Sequence, residues 1–241
     1  ARLSPGDVDG YARFMALSER IFDCGFTKLA HVPFARWTDM ARTVPEMMRL
    51  QSYRSVYSLV SRFFRDPRLR AVFSFHPLLI GGNPFTATSI YTLINFLERH
   101  WGVHFAMGGT GSLVQGLVGL IEGQGNRIEC GREVSEITVQ DGRATGVRLA
   151  DGRELKADIV VSNADSAWTY RHLLPASARR RWTDRKLDRA RYSMGLFVWY
   201  FGTSRRFDDV PHHMILLGPR YRELLDDIFE RKVLADDFSL Y

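Results

Sequence analysis

Two stretches hold residue types that could do chemistry. In Thr38-Asp39-Met40-Ala41-Arg42, the acid and the arginine stand three apart at what reads as a helix start. That spacing sets a carboxylate and a guanidinium on one face, within reach of each other. Taken alone, the pair is equally an acid favoured by the helix dipole and joined to arginine at the surface. The second stretch is Gly108-Gly109-Thr110-Gly111-Ser112, followed by Leu113, Val114, Leu117, Val118, Leu120 and Ile121 at spacings of three and four. Such a run predicts a helix with one apolar face, entered through glycines that leave backbone N–H groups free. A structural turn uses the same glycines. His212-His213 are neighbours on an expected strand, so they point to opposite faces, and with no third ligand evident no metal is expected. Cys24 and Cys130 lack ligand spacing, which argues against zinc and a disulfide framework and suits a reducing cytosol.

The elements that must position these residues follow from periodicity and punctuation. Ser4-Pro5-Gly6-Asp7 is a helix start, and Val8, Tyr11, Met15, Ser18 and Phe22 trace one side of the helix after it. Thr38 is the expected cap of the helix bearing Asp39. Pro45 is expected to open a further helix over residues 46–65, with Asp66-Pro67 ending it and a short helix over 68–75. Gly81-Gly82-Asn83-Pro84 is a loop, and 85–100 reads as a helix. After the glycine-entered helix come strands at 127–130, 133–140 and 143–149, with turns at Asp141-Gly142 and Asp151-Gly152. Ile159-Val160-Val161 is continuously apolar, as a strand buried on both faces of a parallel sheet would be. Asn163 follows at its carboxyl end, where ligands sit in α/β folds, although an Asx cap is an equal reading. Residues 164–174 and 176–189 read as helices, the second carrying Arg179-Arg180-Arg181, with strands at 192–202 and 213–217 and a helix at 221–229.

The 241 residues suffice for one large core or two modest ones, and 45% hydrophobic content is that of a folded chain. No apolar run reaches the roughly 18 residues of a membrane span, and no signal-peptide pattern opens the chain. The net charge is +6 and the pI about 9.5. No nucleic-acid-binding signature accompanies that charge, so no nucleic-acid partner is expected. A basic face against anionic lipid accounts for the balance, with Arg179-Arg180-Arg181 and Trp182 as its candidate helix. The chain begins at a helix start and stops in what reads as a new strand, so it is expected to be an internal fragment.

Taken together, the motifs resemble a known family. The order glycine turn, helix, meander, apolar strand, with Gly108-Gly109-x-Gly111, Gly146-Val147-x-Leu149-x-Asp151-Gly152 and Ala157-Asp158-x-Val160-Val161-x-Asn163, resembles the FAD domain of the flavin amine-oxidase superfamily. Val32-Pro33-Phe34, Ser74-Phe75-His76, Gly81-Gly82-Asn83-Pro84-Phe85, Ser89-Ile90-Tyr91 and Gly218-Pro219-Arg220-Tyr221 narrow this to its carotenoid desaturases, in the bacterial phytoene-desaturase branch.

The resemblance implies a partial, mixed α/β fold: a Rossmann-like FAD-domain piece with a β-meander, plus a helical substrate and membrane domain. The expected division is a helical substrate region over 1–102, an FAD-domain segment over 103–165 and a truncated mixed region over 166–241. It implies FAD as cofactor and phytoene, a hydrophobic polyene, as substrate, with hydride passing to the flavin in carotenoid biosynthesis. It implies a cytoplasmic enzyme held peripherally at a membrane surface. Asp39 and Arg42 fall on the positions of the family's acid/base residues. Val134 falls where a backbone amide and carbonyl hold the adenine, and Gly108, Gly109, Ser112 and Asn163 fall near the flavin. Phe73, Phe75, Leu79, Phe85, Tyr91, Leu196 and Val198 are the expected substrate lining, since a hydrocarbon offers no polar handle. The Gly-x-Gly-x-x-Gly fingerprint is not among these residues, so this piece by itself is expected to bind FAD poorly and to be inactive. A related desaturase or isomerase acting on neurosporene or a hydroxycarotenoid, and a non-catalytic basic domain at a lipid surface, are the alternatives. Oligomeric state is not written in the sequence.

Overall fold

The computed structural model describes residues 2–240. In chain order the helices are α1 (Val8–Phe22), α2 (Trp37–Arg49), α3 (Val56–Val60), α4 (Pro67–Ser74), α5 (Leu93–Trp101), α6 (Thr110–Gly123), α7 (Ser166–Trp168), α8 (Asp184–Asp188) and α9 (Tyr221–Asp226). The strands β1 (Val134–Gln140), β2 (Arg143–Leu149) and β3 (Glu154–Lys156) lie between α6 and α7. Two compact units result: residues 1–103 with 193–241, and residues 104–192.

The first unit is built on α1. Its residues Phe14, Leu17 and Ile21 are buried, and Val56, Leu59, Val60 and Phe64, on and just beyond α3, pack with them in two adjoining clusters. Phe14 meets Phe64 edge-on at 5.4 Å, and Phe64 stacks on Phe73 at 4.6 Å. The contact is close because Gly10 has no side chain: a Cβ there would stand 1.9 Å from the Phe63 carbonyl oxygen. Asp7, buried just ahead of α1, accepts the N–H groups of Arg65 (2.8 Å) and Asp66 (3.0 Å) and the Ser4 hydroxyl (2.9 Å). The two backbone bonds hold its carboxyl below the usual carboxylate range.

The segment between α4 and α5 is ordered by buried polar side chains. Asn83 accepts the Phe85 N–H at 2.9 Å, the Thr88 hydroxyl donates to the Ser52 carbonyl at 2.6 Å, and that of Ser89 to Gln51 at 2.9 Å. Main-chain bonds from Val56 to Ala87, Tyr57 to Pro84 and Ser89 to Arg54 complete the clamp, at 3.0, 3.0 and 2.8 Å.

The second unit holds α6 and an antiparallel meander in the order β1-β2-β3. Gln140 pairs with Arg143 across Asp141 (φ 50°) and Gly142 (φ 77°), the left-handed pair that a two-residue hairpin turn demands. The sheet and the mixture of helix with strand agree with a partial α/β fold.

Several expectations are corrected. Ile159 and Val161 are 80% and 87% exposed and form no strand; among the described residues no parallel strand lies beside them to accept their backbone. The run over 192–202 likewise forms no strand, and 213–217 yields only a bridge from Leu216 to Leu240. Residues 127–130 are not a strand. Arg36, not Thr38, occupies the cap position of α2, and Pro45 sits inside that helix. The helix expected over 46–65 breaks at Gln51, whose φ is +58°, and restarts where the Ser55 hydroxyl caps the Ser58 N–H. The expected helix over 85–100 begins as a tight turn at Ser89 and becomes α-helical at Leu93. The basic helix over 176–189 is broken at Arg179, whose guanidinium folds back to Asp184 at 2.6 Å.

Gly10→Ala is expected to lower stability by about 1–3 kcal/mol, the usual range for overpacking. A thermal melt checks it: an unchanged midpoint would show that α1 can move off Phe63.

Candidate functional site

The expected site residues fall in both units. In the first, Asp39 is the third residue of α2 and half-buried, and its Oδ2 accepts the Arg36 N–H at 3.0 Å. This closes the helix start on itself and places the negative charge at the positive end of the dipole. Arg42 lies one turn on and is exposed; among the described residues no ion pair joins it to Asp39. The carboxylate therefore keeps Oδ1 for another partner.

The expected hydrocarbon lining divides in two. Phe73 and Tyr91 pack against the cluster of Phe14, Val56, Val60 and Phe64, so they build the core. Phe73 also borders an apolar cleft of about 250 Å³ with Tyr11, Phe64 and Leu69, below the roughly 300 Å³ at which ligand pockets begin. Phe75, Leu79 and Phe85 lie outside those clusters: Leu79 is 53% exposed and the two rings are half-buried. Leu196 and Val198, at 81% and 53% exposure, lie in the aromatic run that forms no strand.

Sequence reading missed what surrounds these residues. His76 is buried, stacks on Phe75 at 4.4 Å and sets Nε2 3.1 Å from Glu98 Oε2, while Asn95 Nδ2 donates to the Phe73 carbonyl at 3.3 Å. Phe85, Tyr57 and Tyr221 form an aromatic box, with the Arg222 guanidinium 3.7 Å from the Phe85 ring centre. The Tyr221 hydroxyl meets Ser74 at 3.1 Å, and burial pushes its pKa up to about 12. These pairings join residues 22 to 147 positions apart, where no local pattern could announce them.

In the second unit Gly108 (φ +81°) and Gly109 (φ +85°) take left-handed backbone ahead of α6. A Cβ on Gly108 would stand 2.3 Å from the Ser112 hydroxyl oxygen, so the turn is open only to glycine. Asn163 is exposed and does not cap the following helix; Asp165 does, accepting the Trp168 N–H at 2.8 Å. Glu133 gives its carbonyl to the Ala150 N–H at 2.9 Å. The same peptide's N–H, which belongs to Val134, must therefore point away from β2, since the two ends of a trans peptide face opposite ways. With β1 at the edge of the sheet, that amide is a donor suited to a planar heterocycle. A flavin nucleotide fits these residues at its adenine and at a glycine-lined helix start; no phosphate-cradling fingerprint is present among them.

A family model described as flavin containing amine oxidoreductase matches residues 12–238. The chain belongs to that family. It is 50% identical, over all of its length and 49% of the relative, to the lycopene-forming phytoene desaturase of Pseudescherichia vulneris. A neurosporene-forming phytoene desaturase of Rhodobacter capsulatus is 46% identical over all of this chain and 47% of its own. A zeta-carotene-forming phytoene desaturase of Myxococcus xanthus is 32% identical over all of this chain and 46% of its own. The chain thus spans about half the length of the curated relatives it matches.

Val134→Pro, which removes the outward N–H, is expected to lower flavin retention by about tenfold in a full-length protein carrying this chain, whereas Val134→Ala leaves it intact. A single charge-assisted or well-placed donor is worth about that much. Flavin absorbance per protein after dialysis reads the outcome, and equal retention in both variants would remove Val134 from the cofactor site.

Proposed function

We propose that this chain is the substrate-side and adenine-side half of an FAD-dependent carotenoid desaturase that converts phytoene toward lycopene. The observation that carries this reading is identity of 46–50% along the whole chain to phytoene desaturases whose products are lycopene or neurosporene. The apolar residues Phe75, Leu79, Phe85, Leu196 and Val198, partly or largely accessible, support a substrate without polar groups.

Desaturation forms a C=C bond by taking a hydride from one carbon and a proton from its neighbour. FAD, when bound, supplies the hydride acceptor. Asp39 receives the proton on Oδ1, because Oδ2 is committed to the Arg36 amide and holds the carboxylate in one rotamer. Arg42, one turn further along α2, is the second member of the proposed acid/base pair. Gly108, Gly109, Ser112 and Asn163 bound the flavin, and Val134 meets the adenine with its outward amide. The polyene dissolves in lipid rather than water, so the enzyme works in the cytoplasm while resting on a membrane surface. No helix among the described residues is long and apolar enough to cross one.

Expression of the full-length protein in a phytoene-accumulating host tests the assignment. Red or yellow pigment with loss of phytoene is expected, and flavin-loaded protein that leaves phytoene untouched would overturn it. In the same host Asp39→Asn is expected to slow turnover by about 10²–10⁴-fold, the range for a proton-transfer group, with flavin occupancy unchanged. Wild-type turnover in that variant would take Asp39 out of the reaction.

A further inference from the structure

The basic triplet Arg179-Arg180-Arg181 is not the cationic surface that its sequence advertises. Arg179 is largely buried and donates to Asp184 Oδ1 at 2.6 Å. Arg171 takes Asp188 Oδ1 at 2.5 Å and lies 4.0 Å from Asp184. The acids of this region are thus spent on Arg171 and Arg179. Arg185, Lys186 and Arg189 have no ion-pair partner among the described residues. They line, with Trp182, Thr183 and Ala190, an open groove of about 500 Å³. Lys186 Nζ stands 4.0 Å over the Trp182 ring, which stacks on Tyr170 at 5.5 Å.

We infer that the groove between Trp182 and Arg189 binds the phosphodiester of an anionic lipid headgroup and so fixes where the second unit meets the membrane. Three cations converge on a space large enough for a phosphate and its glycerol. Charge complementarity selects an anion, and the indole beside it selects an interface: tryptophan, apolar in body and polar at the N–H, partitions to the headgroup level of bilayers. A nucleic acid would draw on the same cations. Lipid is favoured because one half-exposed Trp, backed by Tyr170, makes a single wedge at the rim rather than a series of stacking platforms along a strand. The inference rests on the reading that the substrate is drawn from a membrane.

Vesicle sedimentation of the full-length protein tests it, with phosphatidylcholine vesicles set against vesicles holding 30% phosphatidylglycerol. Binding is expected only to the anionic vesicles and to weaken as salt rises. Lys186→Gln with Arg189→Gln is expected to cut the partition coefficient about fivefold per cation lost. The exchange Lys186→Arg with Arg189→Lys is expected to preserve it, as is Arg143→Gln on β2, which does not line the groove. Circular dichroism and the melting midpoint identify any variant that has merely unfolded, and the charge-preserving pair then carries the comparison. Equal binding to both vesicle types, or phosphatidylglycerol binding untouched in the double glutamine variant, would overturn the inference. So would a single-stranded oligonucleotide that binds more tightly than the anionic vesicles and depends on the same two residues. Pigment formation from phytoene supplied in detergent separates the two levels: a variant that desaturates normally there while losing the membrane leaves the enzyme assignment standing.

Discussion

The first unit depends on the way buried polar side chains fasten the chain between α4 and α5 to the start of α3. A segment this poor in regular structure would otherwise bury backbone groups without partners, at about 1–3 kcal/mol for each. Asn83, Thr88 and Ser89 meet that demand locally, and the amides of Val56 and Tyr57 donate to the loop carbonyls of Ala87 and Pro84. His76 with Glu98, and Asn95 with the Phe73 carbonyl, bind the same segment to α5. Beside this clamp Leu79 is 53% exposed, and the rings of Phe75 and Phe85 are half-buried.

In the second unit the distinctive geometry lies in the backbone rather than in side chains. Gly108 and Gly109 adopt conformations that other residues resist, and β1 turns one peptide so that its N–H leaves the sheet. Contacts of that kind recognise a nucleotide by shape and donor placement and need no charged residue. The arginines of this unit serve other ends. Arg148 bonds Glu154 at 2.8 Å and also reaches Glu136, stapling the meander across its face, while Arg171 and Arg179 neutralise the acids near α8.

What could be read from the sequence divides along a physical line. The hairpin at Asp141-Gly142, the glycine-entered α6, the start of α1 and the Asp66-Pro67 break were legible because each is set by residues within a few positions. Family membership was legible because the motifs extend along the chain. Ile159-Val160-Val161 and the run from Leu196 to Phe201 have the composition of buried strands, but a strand exists only where another backbone lies beside it, and composition does not supply that neighbour. Pro45 misled because proline starts helices and can also be carried within one. Phe73 and Tyr91 look the same in sequence as Phe75 and Phe85; only packing shows that the first pair face the core. His76, Tyr221 and Arg222 escaped notice because their partners are distant in the chain.

The proposed contact with a long polyene rests on Phe75, Leu79 and Phe85. A phytoene analogue carrying a carbene-generating group, photolysed on the flavin-loaded full-length protein and followed by peptide mass analysis, reads that contact directly. Label on the peptide spanning Phe75 to Phe85, competed away by phytoene, is the result the account predicts. Competable label found elsewhere, with none on that peptide, would contradict it.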